Sequence, residues 1–87
     1  MPDAFIWYHA HEKLESELMS WLDEIEDKAG VRGKLFVRKD DGKTTFMESY
    51  SDVTTSTITR IEKHAAQHPV FTNIERRCES FMRIDKL

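Results

Sequence analysis

Two strand-like runs, Lys34–Lys39 and Lys43–Tyr50, flank Asp40-Asp41-Gly42, and this stretch constrains the chain more than any other. Asp-Gly between such runs is the strongest short-range hairpin signal, because a primed turn needs the positive φ that Gly and Asp tolerate. The two runs are therefore antiparallel neighbours in a sheet. Any fold for this sequence has to be built around that pair.

Upstream, Ala4–His9 is rich in aromatic and branched residues and reads as a buried first strand. The period then changes. Leu14, Leu18, Trp21, Leu22, Ile25 and Ala29 recur at spacings of three and four, which draws one apolar stripe on a helix over Glu12–Ala29. Acids at its start and Lys28 in its last turn suit the macrodipole, and Gly30 suits a left-handed end. Downstream, Ser51-Asp52 offers a cap, and Ile58, Ile61 and Ala65 follow at helical spacing before Pro69. The β-branched residues Val53 to Thr59 would also suit a strand, but the run Glu62–Gln67 favours a helix. A last strand is expected over Cys78–Ile84, after a connecting loop from Pro69 to Arg77.

The order is strand, helix, strand, strand, helix, strand. Two right-handed crossovers joined through a hairpin predict an α+β, ferredoxin-like βαββαβ fold over residues 1–87: a four-stranded antiparallel sheet with two helices on one face. The first and third strands lie in the middle. Alternation then divides the side chains. Leu35, Val37, Met47, Met82, Ile84 and Ile6 are assigned to the helix-covered side. The uncovered side receives Phe5, Trp7 and His9 from the first strand, Phe36 and Arg38 from the second, and Phe46, Glu48 and Tyr50 from the third. Glu79, Phe81 and Arg83 complete it. Both sides of the first strand are apolar, so a second register, with Tyr8 on the uncovered side, stays open.

Eighty-seven residues make one small domain, and a chain this short hides a modest share of its surface. An uncovered face bearing so many aromatic rings exceeds what a monomer usually exposes, so a twofold homodimer is the expected partner. With 16 acids against 13 Lys and Arg, the net charge of −3 argues against nucleic acid. So does the acid Glu48 assigned to mid-face, in a strand that lacks the glycine of RNA-recognition motifs. A single cysteine, Cys78, reads as an apolar filler and gives no disulfide; no stretch approaches the ~20 apolar residues of a membrane span. With no signal-peptide pattern at its start, the sequence points to the cytoplasm.

The chain resembles a small proteobacterial family of uncharacterised proteins, a domain of unknown function, in the dimeric α+β barrel superfamily. The residues that carry the likeness are Phe5-Ile6-Trp7-Tyr8, Met47-Glu48-Ser49-Tyr50 and Glu79-Ser80-Phe81. The resemblance implies that two ferredoxin-like subunits pack their sheets into a barrel, often with a pocket between sheet and helices. The superfamily includes small monooxygenases that oxidise quinol-like substrates without a cofactor, haem-degrading enzymes and decarboxylating relatives. The family itself carries no assigned activity.

Glu48 and Glu79 are the candidate catalytic acids, since desolvation among aromatics would raise a carboxylate pKa towards neutrality. An ion pair of either with Arg38 or Arg83 ranks ahead of catalysis, because structural pairs outnumber catalytic ones. Trp7, His9, Arg38, Phe46, Tyr50, Phe81 and Arg83 are the candidate ligand-binding residues, for a small aromatic molecule. His9 and His11, two apart on a strand, and His64 and His68, four apart on a helix, have metal-compatible spacing. Helix-end electrostatics explain the second pair equally well, and no metal or other cofactor is assigned. The sequence thus predicts a non-enzymatic cytoplasmic homodimer with small-molecule binding at the sheet face. The alternative is a cofactor-independent, monooxygenase-like enzyme using Glu48 or Glu79 as acid or base.

Overall fold

The computed structural model describes residues 1–85. β1 (Asp3–His9) leads through a 3-10 turn (Glu12–Leu14) into α1 (Glu15–Ala29), followed by β2 (Lys34–Asp40), β3 (Lys43–Tyr50), α2 (Thr55–Ala66), a second 3-10 turn (Pro69–Phe71) and β4 (Arg77–Phe81). The strands form one sheet in the order β2-β3-β1-β4, antiparallel throughout.

The hairpin is the one the sequence specifies. Asp40 pairs with Lys43, and the two loop residues, Asp41 and Gly42, have φ of 48° and 74°, as a type I′ turn needs. Gly30 ends α1 at φ 73°, its N–H donating to the Glu26 carbonyl at 3.0 Å. Three boundaries differ from expectation. The α-helix starts at Glu15 because His11 Nδ1 accepts from the Lys13 N–H and caps a separate 3-10 turn. α2 is capped by Thr54, whose hydroxyl accepts from the Thr57 N–H at 3.0 Å; Asp52 instead turns the chain at φ 53° and donates its N–H to Asp3. β4 ends at Phe81, so Met82, Arg83 and Ile84 continue outside the sheet.

The core lies between the sheet and the two helices. Ala4, Ile6 and Tyr8 of β1 and Phe46 and Tyr50 of β3 meet Leu18, Trp21, Leu22 and Ile25 of α1 and Ile61 and Ala65 of α2. Val53, Val70 and Phe71 close its ends. The side assigned to β3 is thereby corrected. Phe46, Glu48 and Tyr50 do share one face, but it is the helix-covered one, and Met47 points to the open side between Phe36 and Trp7. β1 keeps the register with Ile6 inward, and Tyr8 goes in with it. Met82 and Ile84 are exposed, not core, and Val37 lies on the covered side at the rim of α1, still 45% exposed. The open face carries Phe5, Trp7, His9, Phe36, Arg38, Glu79 and Phe81, in register across the four strands.

Gly33, just before β2, has a steric reason to be glycine. A Cβ there would lie 2.5 Å from the Tyr50 ring. Tyr50 can sit under the sheet only because that position has no side chain.

Candidate functional site

The centre of the covered face is a charge. Glu48 is fully buried, its side chain 0% exposed, between the sheet and α1. β3 places Tyr50 two residues away on the same side, and the β1–β3 register brings Tyr8 alongside. Tyr8 donates its hydroxyl to Oε2 at 2.6 Å; Tyr50 donates to Oε1 at 2.7 Å. Trp21, from the apolar stripe of α1, donates its indole N–H to Oε1 at 3.1 Å. Arg76, in the residue before β4, donates from both terminal nitrogens, at 2.7 Å to Oε2 and 3.2 Å to Oε1. Its Nε and one terminal nitrogen also donate to Glu62 on α2, at 3.3 and 2.8 Å.

The carboxylate thus receives five donors, against about four lone-pair sites on a carboxylate. Among the described residues no buried side-chain nitrogen or oxygen lacks a partner. The guanidinium is enclosed as well: its central carbon lies 4.2 Å from the Phe71 ring centre and 5.2 Å from that of Tyr8, attractive cation–π distances. Electrostatics follow from this packing. Burial first, then the Glu48 charge and the hydrogen bonds to it, push both tyrosine hydroxyls far above their usual pKa. Burial alone would lower the Arg76 pKa, but hydrogen bonds to Glu62 and Glu48, with their charges, more than offset it and raise it.

The chemical consequence is stasis. A carboxylate with every lone pair engaged and no solvent contact has no vacant position from which to take a substrate proton. The arrangement does what a buried, fully hydrogen-bonded ion pair does, which is to fix the relative positions of the elements it joins.

The sequence-nominated residues separate into groups. Glu48, Phe46 and Tyr50 belong to this interior centre. Trp7, His9, Arg38, Glu79 and Phe81 lie on the opposite, open side of the sheet, so the two candidate acids are on different faces. Neither pairs with Arg38 or Arg83; Arg83 is exposed beyond β4 and bonds Asp85 at 3.0 Å. The histidines do not converge. His11 caps the first 3-10 turn and His68 the second, accepting from Val70 N–H at 3.1 Å, while His9 bonds the Thr45 hydroxyl at 3.0 Å. His64 lies half-buried on α2, and among the described residues no group of three or more His, Cys, Asp or Glu is placed to hold a metal ion. Cys78 is exposed on β4, and burial of its sulfur, with the nearby Glu62 charge, pushes the thiol pKa up, away from a reactive thiolate.

Arg76, Trp21, Tyr8 and Glu62 are the members sequence reasoning missed. A signal existed: a tryptophan and two tyrosines destined for one small core all need hydrogen-bond partners there. Glu48 is the one acid whose strand alternation puts it beside an aromatic on each side.

On the open side, Trp7, Phe36, Val37, Arg38, Thr45 and Met47 line a shallow groove of about 340 Å³. Arg77 lies 5.1 Å above the Trp7 ring, and Phe5 and Phe81 meet edge to face at 5.8 Å. A second groove of about 360 Å³ runs beside Arg76 and Glu62, between α2 and the second 3-10 turn.

This topology, with both helices on one face of a β2-β3-β1-β4 sheet, is the ferredoxin-like α+β fold. Solved structures bear that out. The chain is similar to the de novo designed protein Foldit4 at TM-score 0.76 and 15% identity, over 95% of this chain and 98% of that one. It is similar to the C-terminal domain of the MgtC protein from Mycobacterium tuberculosis at TM-score 0.63 and 8% identity, over 93% and 88%. A second design, Ferredog-Diesel, follows at TM-score 0.58 and 17% identity, over 88% and 83%. At such identities the likeness is one of fold alone. No family model and no curated protein matches the sequence. Among the described residues no helix is long and apolar enough to cross a membrane.

Proposed function

We propose that this is a non-catalytic assembly domain that closes its open sheet face against a second copy of itself, leaving room for a small aromatic molecule between the sheets. The observation that carries the reading is the face itself. Phe36 and Phe81 are 48% and 56% exposed, with Phe5, Trp7 and Met47 between them, and none of the described residues covers them.

Cross-strand register gives the face an order that suits self-packing. One row reads Phe36, Met47, Trp7, Arg77 from β2 to β4, and the next reads Lys34, Ser49, Phe5, Glu79. A twofold axis parallel to the strands lays β2 of one copy over β4 of the other. Lys34 then faces Glu79 of the second copy, Phe36 faces Arg77, and Met47 faces Trp7. Sheets packed about 10 Å apart at a small crossing angle bring such side chains together. The groove beside Arg38, about 340 Å³, falls at the lower end of the usual ligand-site range. The same reading extends to a cytoplasmic protein working without a cofactor, related to the dimeric α+β barrels.

The enzyme alternative has less support, since Glu48 is saturated by its neighbours and Glu79 lies on an exposed strand. Analytical ultracentrifugation tests the proposal. The wild type is expected to sediment as a dimer or larger at micromolar concentration, and the variant Trp7→Ser with Phe81→Ser to lose that association while keeping its circular dichroism. A wild type that is monomeric at high concentration, or a monomer that binds single-stranded RNA on these rings, would overturn it.

A further inference from the structure

Among the described residues β2 is an edge strand, hydrogen-bonded to β3 on one side and to no strand on the other. Its seven residues pair with β3 in one unbroken register, with neither bulge nor proline. Unbroken edges of this kind are templates for another strand, and proteins usually shorten, kink, charge or cover them. At its centre, between Lys34 and the run Arg38-Lys39-Asp40, this edge is also apolar on both sides. Phe36 projects to the open face; Val37, 45% exposed, projects to the helix side. There Val37 adjoins Leu35 and Met19 of α1, itself 43% exposed, around a recess of about 180 Å³ that the described residues leave unfilled.

We propose that β2 pairs antiparallel with β2 of a second copy, centred on Val37, so that the sheet continues across the seam. The choice of occupant and of register comes from charge. A twofold axis normal to the sheet keeps each residue on its own face, so allowed registers differ by shifting the centre one residue at a time along β2. Centring on Phe36 sets Lys34 opposite Arg38, a like-charge pair repeated by symmetry. Centring on Arg38 sets that cation opposite itself. Centring on Val37 sets Lys34 opposite Asp40 and Phe36 opposite Arg38, each twice, and opposite charges and cation–aromatic pairs directly across a ladder are favourable. Lys39, the remaining cation, is already held by Glu12 at 2.7 Å and falls opposite Leu35. On the helix side, Val37 meets its own equivalent, and the two Leu35–Met19 clusters flank one continuous apolar strip. A strand sequence that reads as its own complement fits a second copy better than an unrelated peptide.

This edge shares Lys34 and Phe36 with the open sheet face, but Val37 and Asp40 belong to the edge pairing alone, so the two associations are separable. The experiment uses the full chain with Cys78→Ser. Val37→Cys in that background is expected to form a symmetric disulfide-linked dimer under mild oxidation, far faster than Arg60→Cys on the exposed side of α2. Lys34→Asp and Asp40→Lys, each alone, place like charges opposite one another and are expected to weaken association about tenfold; together they are expected to restore it. Trp7→Ser serves as the control that touches only the other surface. Val37→Cys cross-linking no faster than Arg60→Cys overturns the edge pairing, and so does sedimentation unchanged by either charge reversal. A wild-type dimer lost in Trp7→Ser but insensitive to Asp40→Lys, a position outside the rows that meet in the sheet-face packing, keeps the sheet-face reading and rejects this one.

Discussion

Glu48→Gln tests the centre of the molecule with one atom changed. The carboxamide keeps the shape but offers one acceptor oxygen where two received five donors, and its amine group faces donors in place of an acceptor. The tyrosine hydroxyls can rotate to accept. The indole and guanidinium N–H groups cannot. Arg76, 7% exposed, is then left with Glu62 alone. Removing one partner of a buried pair costs about 3–5 kcal/mol. Total stability for a domain is roughly 5–15 kcal/mol, so the variant would stand near the threshold of folding. At roughly 4–8 °C per kcal/mol for a chain of this size, the melting temperature should fall by at least about 12 °C. Thermal and urea unfolding followed by circular dichroism read this directly. A cycle with Arg76→Met separates the pair from the packing: the two changes together should cost clearly less than their sum, because the double variant no longer buries a lone charge. A loss below about 1 kcal/mol for Glu48→Gln, with m unchanged, would refute the account of the centre as a structural rivet.

Both tyrosines of the chain sit in that centre with raised pKa, so alkaline titration offers an independent reading. The folded state holds its hydroxyl protons where the unfolded chain releases them, so this contribution to stability is complete below the ordinary tyrosine value of about 10 and is lost as pH rises above it. Absorbance at 295 nm should therefore stay flat past pH 10 and rise only with unfolding; a reversible tyrosinate titration near 10 in the folded protein contradicts the site. Gly33→Ala pushes a methyl into the Tyr50 ring and should cost about 1–3 kcal/mol in urea unfolding, whereas no loss would mean that the ring moves freely. Thr54→Ala removes the α2 cap and should cost about 1 kcal/mol, while the same change at Ser51 should cost little.

The hairpin, α1 and the order of elements were legible because each rests on local chemistry: Asp-Gly at a primed turn, a three-and-four stripe, a left-handed Gly30. The side taken by β3 was not. Its alternation was read correctly, but Phe46 and Met47 are both apolar, and a glutamate ordinarily breaks the tie by facing water. Here the tie is broken by Tyr8, Trp21 and Arg76, which lie 27 to 40 residues away in sequence. Donors so distant leave no periodic trace near Glu48. The opposite face of β1 and β4 was legible for the converse reason: Trp7, Glu79 and Phe81 depend only on strand parity.

One consequence of the Arg76 position concerns how the molecule comes apart. β4 is short, exposed along its length and joined to the sheet by β1 alone, and such an edge strand would ordinarily fray long before the rest opens. Yet peeling it away would drag Arg76 from between Glu48 and Glu62 and off the rings of Phe71, Tyr8 and Trp21, and leave the Glu48 carboxyl without its partner in a dry interior. The weakest-looking element is therefore tethered to the costliest one, and its amides should exchange with solvent at the pace of global unfolding.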